Sequence, residues 1–177
     1  MDKELQQQLF EKFPKLFKER NLPMSQTCMC WGLEVGDGWH DIIQNMCHCI
    51  QSHIDNAREN RVYAIKFNRA LTRWKERRDD RGLIHYFRGN GANIEQFKNS
   101  ELRVLAEKCS QVVFSQVKEK FGTLRIYYSG GDRYVDGVLR MAEVMSAVTC
   151  EECGHPGKQM GKGWIVTRCK KCAKDNS

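Results

Sequence analysis

The sequence predicts an α+β fold: helices packed on a small antiparallel sheet, followed by a C-terminal four-cysteine zinc ribbon. Three observations carry that prediction. Cys150 and Cys153, followed after fifteen residues by Cys169 and Cys172, make two Cys-x-x-Cys pairs. At this separation four thiolates reach the corners of a tetrahedron about 2.3 Å from one zinc ion (Zn2+). Residues 112–128 hold two β-rich runs meeting at Phe121-Gly122, which marks a hairpin at about 111–128. On both sides of it, apolar residues recur at three- and four-residue steps, the period of helices with one buried face.

With 177 residues the chain is long enough for one core domain, 1–148, and a ribbon, 149–177. No run of about 18 apolar residues occurs, so no membrane span is expected. Met1 to Gln8 lacks the apolar centre of a secretory signal, and an odd count of nine cysteines suits metal and buried thiols better than a disulfide framework. The cytoplasm is therefore the expected compartment. Formal net charge is +7, and four thiolates on zinc would bring the metallated chain to about +5. Such a balance permits contact with nucleic acid or another anionic partner.

Leu5, Leu9, Phe10, Phe13 and Phe17 predict an amphipathic helix, bent or restarted at Pro14 and ended by Pro23, with Ser25 to Trp31 extended. Cys28 to His40 then crowds three glycines and two tryptophans around Glu34 and Asp37. In the plainer reading Asp37 caps the next helix while Trp31 and Trp39 pack inward. The alternative makes Glu34, Asp37 and His40 the metal-binding loop of a hydrolase or nuclease, with Lys118, Glu119 and Lys120 assisting. The plainer reading is preferred, because no nucleophile and base stand at a diagnostic spacing.

The next helix is expected over 39–57, burying Ile42, Ile43, Met46, Cys49, Ile50 and Ile54. Cys47 and Cys49 lie two apart and would point about 200° away from each other, so both cannot join Cys28 and Cys30 on one ion. Buried thiols are expected, the alternative being one of them with Cys28, Cys30 or His53.

Residues 58–81 carry nine basic and four acidic side chains. As a helix this segment sets Lys66, Arg69, Arg73 and Arg77 on one stripe and Tyr63, Phe67, Ala70, Leu71 and Trp74 on another. A strand over Val62 to Phe67, with Asn68 capping a shorter helix, is the competing prediction. Such a stripe is ordinarily a solvated face. Its functional reading is a phosphate- or acid-binding surface of Lys66, Arg69, Arg73, Trp74, Lys75, Arg77 and Arg78, joined by Lys118, Lys120 and Arg125 of the hairpin.

Gly82 to Gly91 reads as loop without the Gly-x-x-x-x-Gly-Lys phosphate cradle, and Ser100 to Lys108 as a short helix with Leu102, Leu105 and Ala106 inward. In the hairpin, Val117, Leu124, Ile126 and Tyr128 would form the dry face and Lys118, Lys120 and Arg125 the wet one. Gly130-Gly131-Asp132 leads into a helix whose Val135, Leu139, Ala142, Met145 and Val148 would cover that sheet. Within the ribbon, Gly154 suits the turn after the first cysteine pair and Trp164 to Val166 a short strand before the second. His155 is a spare nitrogen, since four sulfurs already fill the coordination sphere.

Cys28-Met-Cys30-Trp31-Gly32, Gly36-Asp37-Gly38-Trp39, the run from Val117 to Tyr128 and the two Cys-x-x-Cys pairs together resemble small zinc-ribbon proteins carried by tailed phages and prophages. The similarity covers both ends and the hairpin, while the basic middle is peculiar to this chain. The resemblance transfers no catalytic residue. It implies an accessory protein acting in the host cytoplasm that binds host machinery or blocks a host defence such as CRISPR. The function expected is thus non-enzymatic: binding of nucleic acid or a host nucleoprotein complex. A metal-dependent hydrolase and a purely protein-binding adaptor are the alternatives.

Overall fold

The structure is a computed structural model and describes residues 1–87 and 94–174. Its contacts divide into two units, Met1–Ile54 with Ser110–Ser177, and Asp55–Cys109. This division follows packing and runs along a different line from the 148/149 boundary of the sequence reading.

In the first unit, α1 (Lys3–Lys12) opens on Asp2, whose carboxylate accepts the Glu4 N–H at 2.8 Å. It stops at Phe13, because Pro14 can donate no helical hydrogen bond. The chain does not restart a long helix there: a turn and one 3-10 segment (Lys18–Asn21) bring Leu16 and Phe17 beside Leu9 in the core. Ser25 to Trp31 is not extended either but closes in a 3-10 turn at Met29–Trp31.

Hairpin strands β2 (Ser110–Lys120) and β3 (Thr123–Gly131) turn through Phe121 and Gly122, both at positive φ, as a two-residue loop matching strand twist requires. Val117, Leu124 and Ile126 are buried as expected, and Lys118 stands opposite Arg125 in the register. The sheet is not purely antiparallel. A two-residue strand, β1 (Leu33–Glu34), runs parallel to β2 and makes its third member. At the bulge near Phe114, the amide of that residue donates to Leu16 O at 2.9 Å, tying the N-terminal turns to the sheet.

Helix α5 (Arg133–Ser146) starts at Asp132, whose side chain accepts from the Tyr134 and Val135 amides. Val135, Leu139 and Ala142 are buried as predicted, but Met145 and Val148 are exposed and Ser146 takes the inward place. Ser146 Oγ accepts the buried Leu124 N–H at 2.8 Å and donates to Glu143 O, a polar stitch between helix and strand.

Helix α2 (His40–Arg77) begins in the first unit, directly after a 3-10 turn at Asp37–Trp39, and continues into the second. It joins the helix expected over 39–57 to the helical reading of 58–81 in one element ending at Arg77, and the competing strand over Val62 to Phe67 does not form. On it Ile42, Ile43, Met46, Ile50 and Ile54 are buried, but Cys47 is the buried thiol and Cys49 the exposed one.

The second unit adds α3 (Arg81–Phe87) and α4 (Ile94–Lys98). Gly82 to Phe87 is therefore helix rather than loop, and Arg88 to Gly91 lie outside the described residues. Phe67, Ala70, Leu71, Leu83 and Phe87 form its core, with Trp74, Tyr86, Ile94 and Phe97 packed against them. Phe87 and Phe97 stack at 4.0 Å between centroids, a geometry that adds to area burial. Ser100 to Lys108 is not helical. Leu102 and Leu105 are exposed, and the segment is held instead by Asn68, whose amide bonds Arg103 O and N at 2.8 Å each.

Candidate metal centre

The chain leaves α5, bridges Thr149 to Pro156, and folds Cys150 to Gly154 into a knuckle. Cys150 N donates to His155 O at 2.8 Å and Gly154 N to Cys150 O at 2.9 Å, with Gly154 at φ +73° as the turn demands. Two short antiparallel strands, β4 (Lys158–Met160) and β5 (Val166–Arg168), lead to the second knuckle, which opens α6 (Lys170–Lys174). Trp164, expected in the strand, precedes it and is 77% exposed.

The sulfur atoms of Cys150, Cys153, Cys169 and Cys172 all lie within 4.8 Å of one another, with Cys153 Sγ and Cys169 Sγ 3.6 Å apart. Sulfurs at about 2.3 Å from a tetrahedral ion stand about 3.8 Å from each other, so the cluster can hold a metal ion. The Cys172 N–H points at Cys169 Sγ at 3.4 Å. That amide leads in bringing the Cys169 thiol from 9.0 down to about 6. Cys172, bonded first to Cys153 and then to Cys169, is pushed up to about 12. Four crowded thiols thus compete for protons, a competition that a divalent cation removes by taking all four as thiolates.

The rest of the first unit grips this lobe at two places. Gly38 N donates to Glu151 O at 2.7 Å, Gly36 N to Glu151 Oε1 at 2.9 Å, and the buried Trp39 indole to Thr149 O at 2.8 Å. A Cβ on Gly38 would stand 2.2 Å from Cys150 O, and one on Gly36 would stand 2.3 Å from Glu151 O. The glycines are there because two backbones touch. Burial raises the Glu151 carboxyl above its ordinary range, against the pull of the Gly36 amide. At the hairpin tip, Thr167 Oγ1 donates to Gly122 O, Gln159 Nε2 to Phe121 O at 3.1 Å, and Glu151 N to Thr167 O at 3.0 Å.

The tryptophan-rich loop is therefore a socket for the cysteine lobe. Asp37 lies in the 3-10 turn and its carboxylate accepts the Asp2 N–H at 2.6 Å, while Trp31 is exposed with its N–H on Met24 Sδ. Glu34 accepts from Gln116 Nε2 at 3.0 Å, and His40 Nδ1 meets Asp41 at 3.0 Å. Among the described residues, no group of three metal-ligating side chains includes Glu34, Asp37 or His40. Nor are Cys28, Cys30, Cys47 and Cys49 gathered: Cys30 donates to Thr27 O, and burial drives the Cys47 thiol far up.

In the second unit, Lys66, Arg69, Arg73 and Arg77 project from α2 at three- and four-residue steps and are exposed. None has a carboxylate within 4.0 Å among the described residues. A cavity of about 280 Å³ lies along the row, with His85 and Tyr86 on its far wall. The other predicted contacts are already engaged. Trp74 is half-buried under Lys98 at 4.4 Å and Arg78 at 5.3 Å, and Lys75 donates to Ser100 O. In the first unit, Lys118 and Lys120 lie over Tyr127 and Phe121, and Arg125 approaches Glu143 at 3.8 Å.

No family model, curated protein or solved structure matches this chain. Among the described residues, no helix is long and apolar enough to cross a membrane.

Proposed function

We propose that this chain is a non-enzymatic binding protein whose cysteine cluster holds a structural Zn2+ as a zinc ribbon, and whose second unit binds the phosphate backbone of nucleic acid. Zinc is favoured because it accepts four thiolates tetrahedrally without a geometric penalty and leaves no open position for catalysis. The ribbon reading rests on two knuckles carried by two antiparallel strands.

The observation that carries the binding function is the row Lys66, Arg69, Arg73 and Arg77, four exposed cations one helical turn apart, none in an ion pair within 4.0 Å among the described residues although Glu76 and Asp79 lie nearby. Cations outnumber the carboxylates beside them on this face, four to the two of Glu76 and Asp79, so net positive charge is left for an external anion. Residues 55–109 hold thirteen basic and eight acidic side chains, five of the chain's seven surplus positive charges. The resemblance to phage accessory proteins adds a setting in which the nucleic acid belongs to a host complex, with inhibition of a host defence such as CRISPR as its outcome.

Fluorescence anisotropy against duplex and single-stranded oligonucleotides over a salt series tests the proposal. Four phosphate contacts predict that log affinity falls with log salt at a slope of about −3 to −4. Lys66→Ala with Arg73→Ala should lower that slope by about 2. Salt-independent binding, or a slope unchanged in the double variant, would exclude the row as the contact.

A further inference from the structure

A groove of about 640 Å³ in the first unit, walled by the start of α2 and by α5, has no role in the reading above. Its apolar wall includes Ile42, Met46, Val138, Met141 and Met145. Met141 is 61% exposed and Met145 47%, and the adjacent Val144 and Val148 are 59% and 61% exposed. Such side chains usually face a core or a partner.

The two helices run antiparallel. His53 stacks on Tyr134 at 4.2 Å near the start of α5, while Trp39 bonds Thr149 just past its end. Arg133 therefore marks one end of the groove and Asp41 the other, and both line it.

Gly137 supplies a separate indication. It sits inside α5, where glycine is costly, yet a Cβ there would meet nothing within 4 Å. Among the described residues, no neighbour requires it. A bare stretch of helix backbone lets a second helix approach closely.

We propose that a second copy of this chain covers the groove in a two-fold dimer. Rotation about an axis through its middle sets groove against groove and lays the exposed Met141 and Val144 of α5 in one copy over the α2 wall of the other. The same rotation exchanges the ends, so each Arg133 meets the other copy's Asp41. The groove is thus complementary to itself, the condition an isologous interface must satisfy. A foreign amphipathic helix would use the same apolar wall, and one orientation of its dipole suits the two end charges; a second copy supplies both charge pairs by symmetry.

Sedimentation equilibrium of the full metal-loaded chain should give twice the 20.6 kDa chain mass. Arg133→Asp alone and Asp41→Arg alone should each weaken the dimer by roughly tenfold or more, through like charges brought face to face. An equimolar mixture of the two variants should recover it, because the mixed dimer restores both contacts. Gly137→Leu should break the dimer yet match or exceed the parent in thermal stability when both are compared as monomers at high dilution, which separates a lost interface from a lost fold.

A wild-type chain monomeric at 100 micromolar, on the order of the weakest stable dimers, overturns the proposal. So do single variants that stay dimeric, failure of the mixture to recover, and a monomer that takes up an amphipathic helical peptide in the groove.

Discussion

The indole N–H of Trp39 donates to the carbonyl oxygen of Thr149 at 2.8 Å, with the tryptophan fully buried. This one bond joins the entry of α2 to the residue before the first cysteine ligand, across 110 positions of sequence. Trp39→Phe keeps most of the apolar volume and leaves that carbonyl without its donor. The expected cost is about 1–3 kcal/mol, since an orphaned buried acceptor loses its solvation without compensation. Urea unfolding monitored by circular dichroism measures it. Because the ligands are untouched, metal stoichiometry should remain one per chain.

Two glycines with opposite roles give a paired prediction. Gly38→Ala forces a methyl group to 2.2 Å from Cys150 O, so knuckle and loop must part, at about 1–3 kcal/mol. In the monomer, at concentrations too low for self-association, Gly137→Ala adds a methyl in open space and restricts the unfolded chain, a gain of about 0.5–1 kcal/mol. Melting temperatures of the two variants should move in opposite directions, and Gly38→Ala should also speed metal loss to a chelator.

What could be read from sequence was mostly local. Each cysteine pair spans four residues, and the Phe121-Gly122 turn declares itself in two, so knuckles and hairpin needed no knowledge of distant partners. Asp132 likewise announced α5 by its capping position. Contacts across the chain were hidden. Gly36 and Gly38 read only as a tight loop before a helix, because the Cys150–Gly154 knuckle that presses on both lies more than a hundred residues away. Ser146 won the inward place over Met145 because Leu124 needed an acceptor for a buried amide, a demand invisible to an apolar pattern. The β-branched and aromatic residues of Val62 to Phe67 argued for a strand, but packing of Phe67 and Leu71 into the second core favours helix. The sequence reading did identify all four cysteines of the cluster and the cationic row, and it placed Trp74 on the apolar stripe as well as among the binding residues, but gave no hint that Lys75 would be engaged within its own unit.

Metal removal should expose the proton competition within the cluster. In the metal-free chain, the Cys169 thiol is held down at about 6 from an ordinary 9.0, chiefly by the Cys172 amide. A depressed value stabilises the folded state above the unfolded value and ceases to do so as pH falls through the folded one. Stability of the chelator-treated chain should therefore rise between pH 6 and pH 9, and Cys169→Ser should flatten that rise. The metal-loaded chain should be more stable throughout, losing its ion as acid protonates the ligands. Cobalt substitution offers the spectroscopic check, since four thiolates give an intense sulfur-to-metal charge-transfer band that Cys169→Ser should weaken.

Glu151 separates charge from hydrogen bonding at the socket. Its carboxylate accepts the Gly36 N–H at 2.9 Å, yet burial, the larger influence, raises it above its ordinary 4.5. For a carboxyl group raised on folding, the associated stability is complete below the unfolded value and is lost as pH climbs through the folded one. Glu151→Gln retains an acceptor oxygen for Gly36 and buries no charge, so it should equal or exceed the parent in stability at pH 7 and lack that decline. Glu151→Ala removes the acceptor as well and should cost about 1 kcal/mol. Unfolding free energies measured from pH 4 to pH 7 distinguish the two, and a Glu151→Gln protein clearly weaker than the parent at pH 7 would mean that the negative charge itself holds the loop.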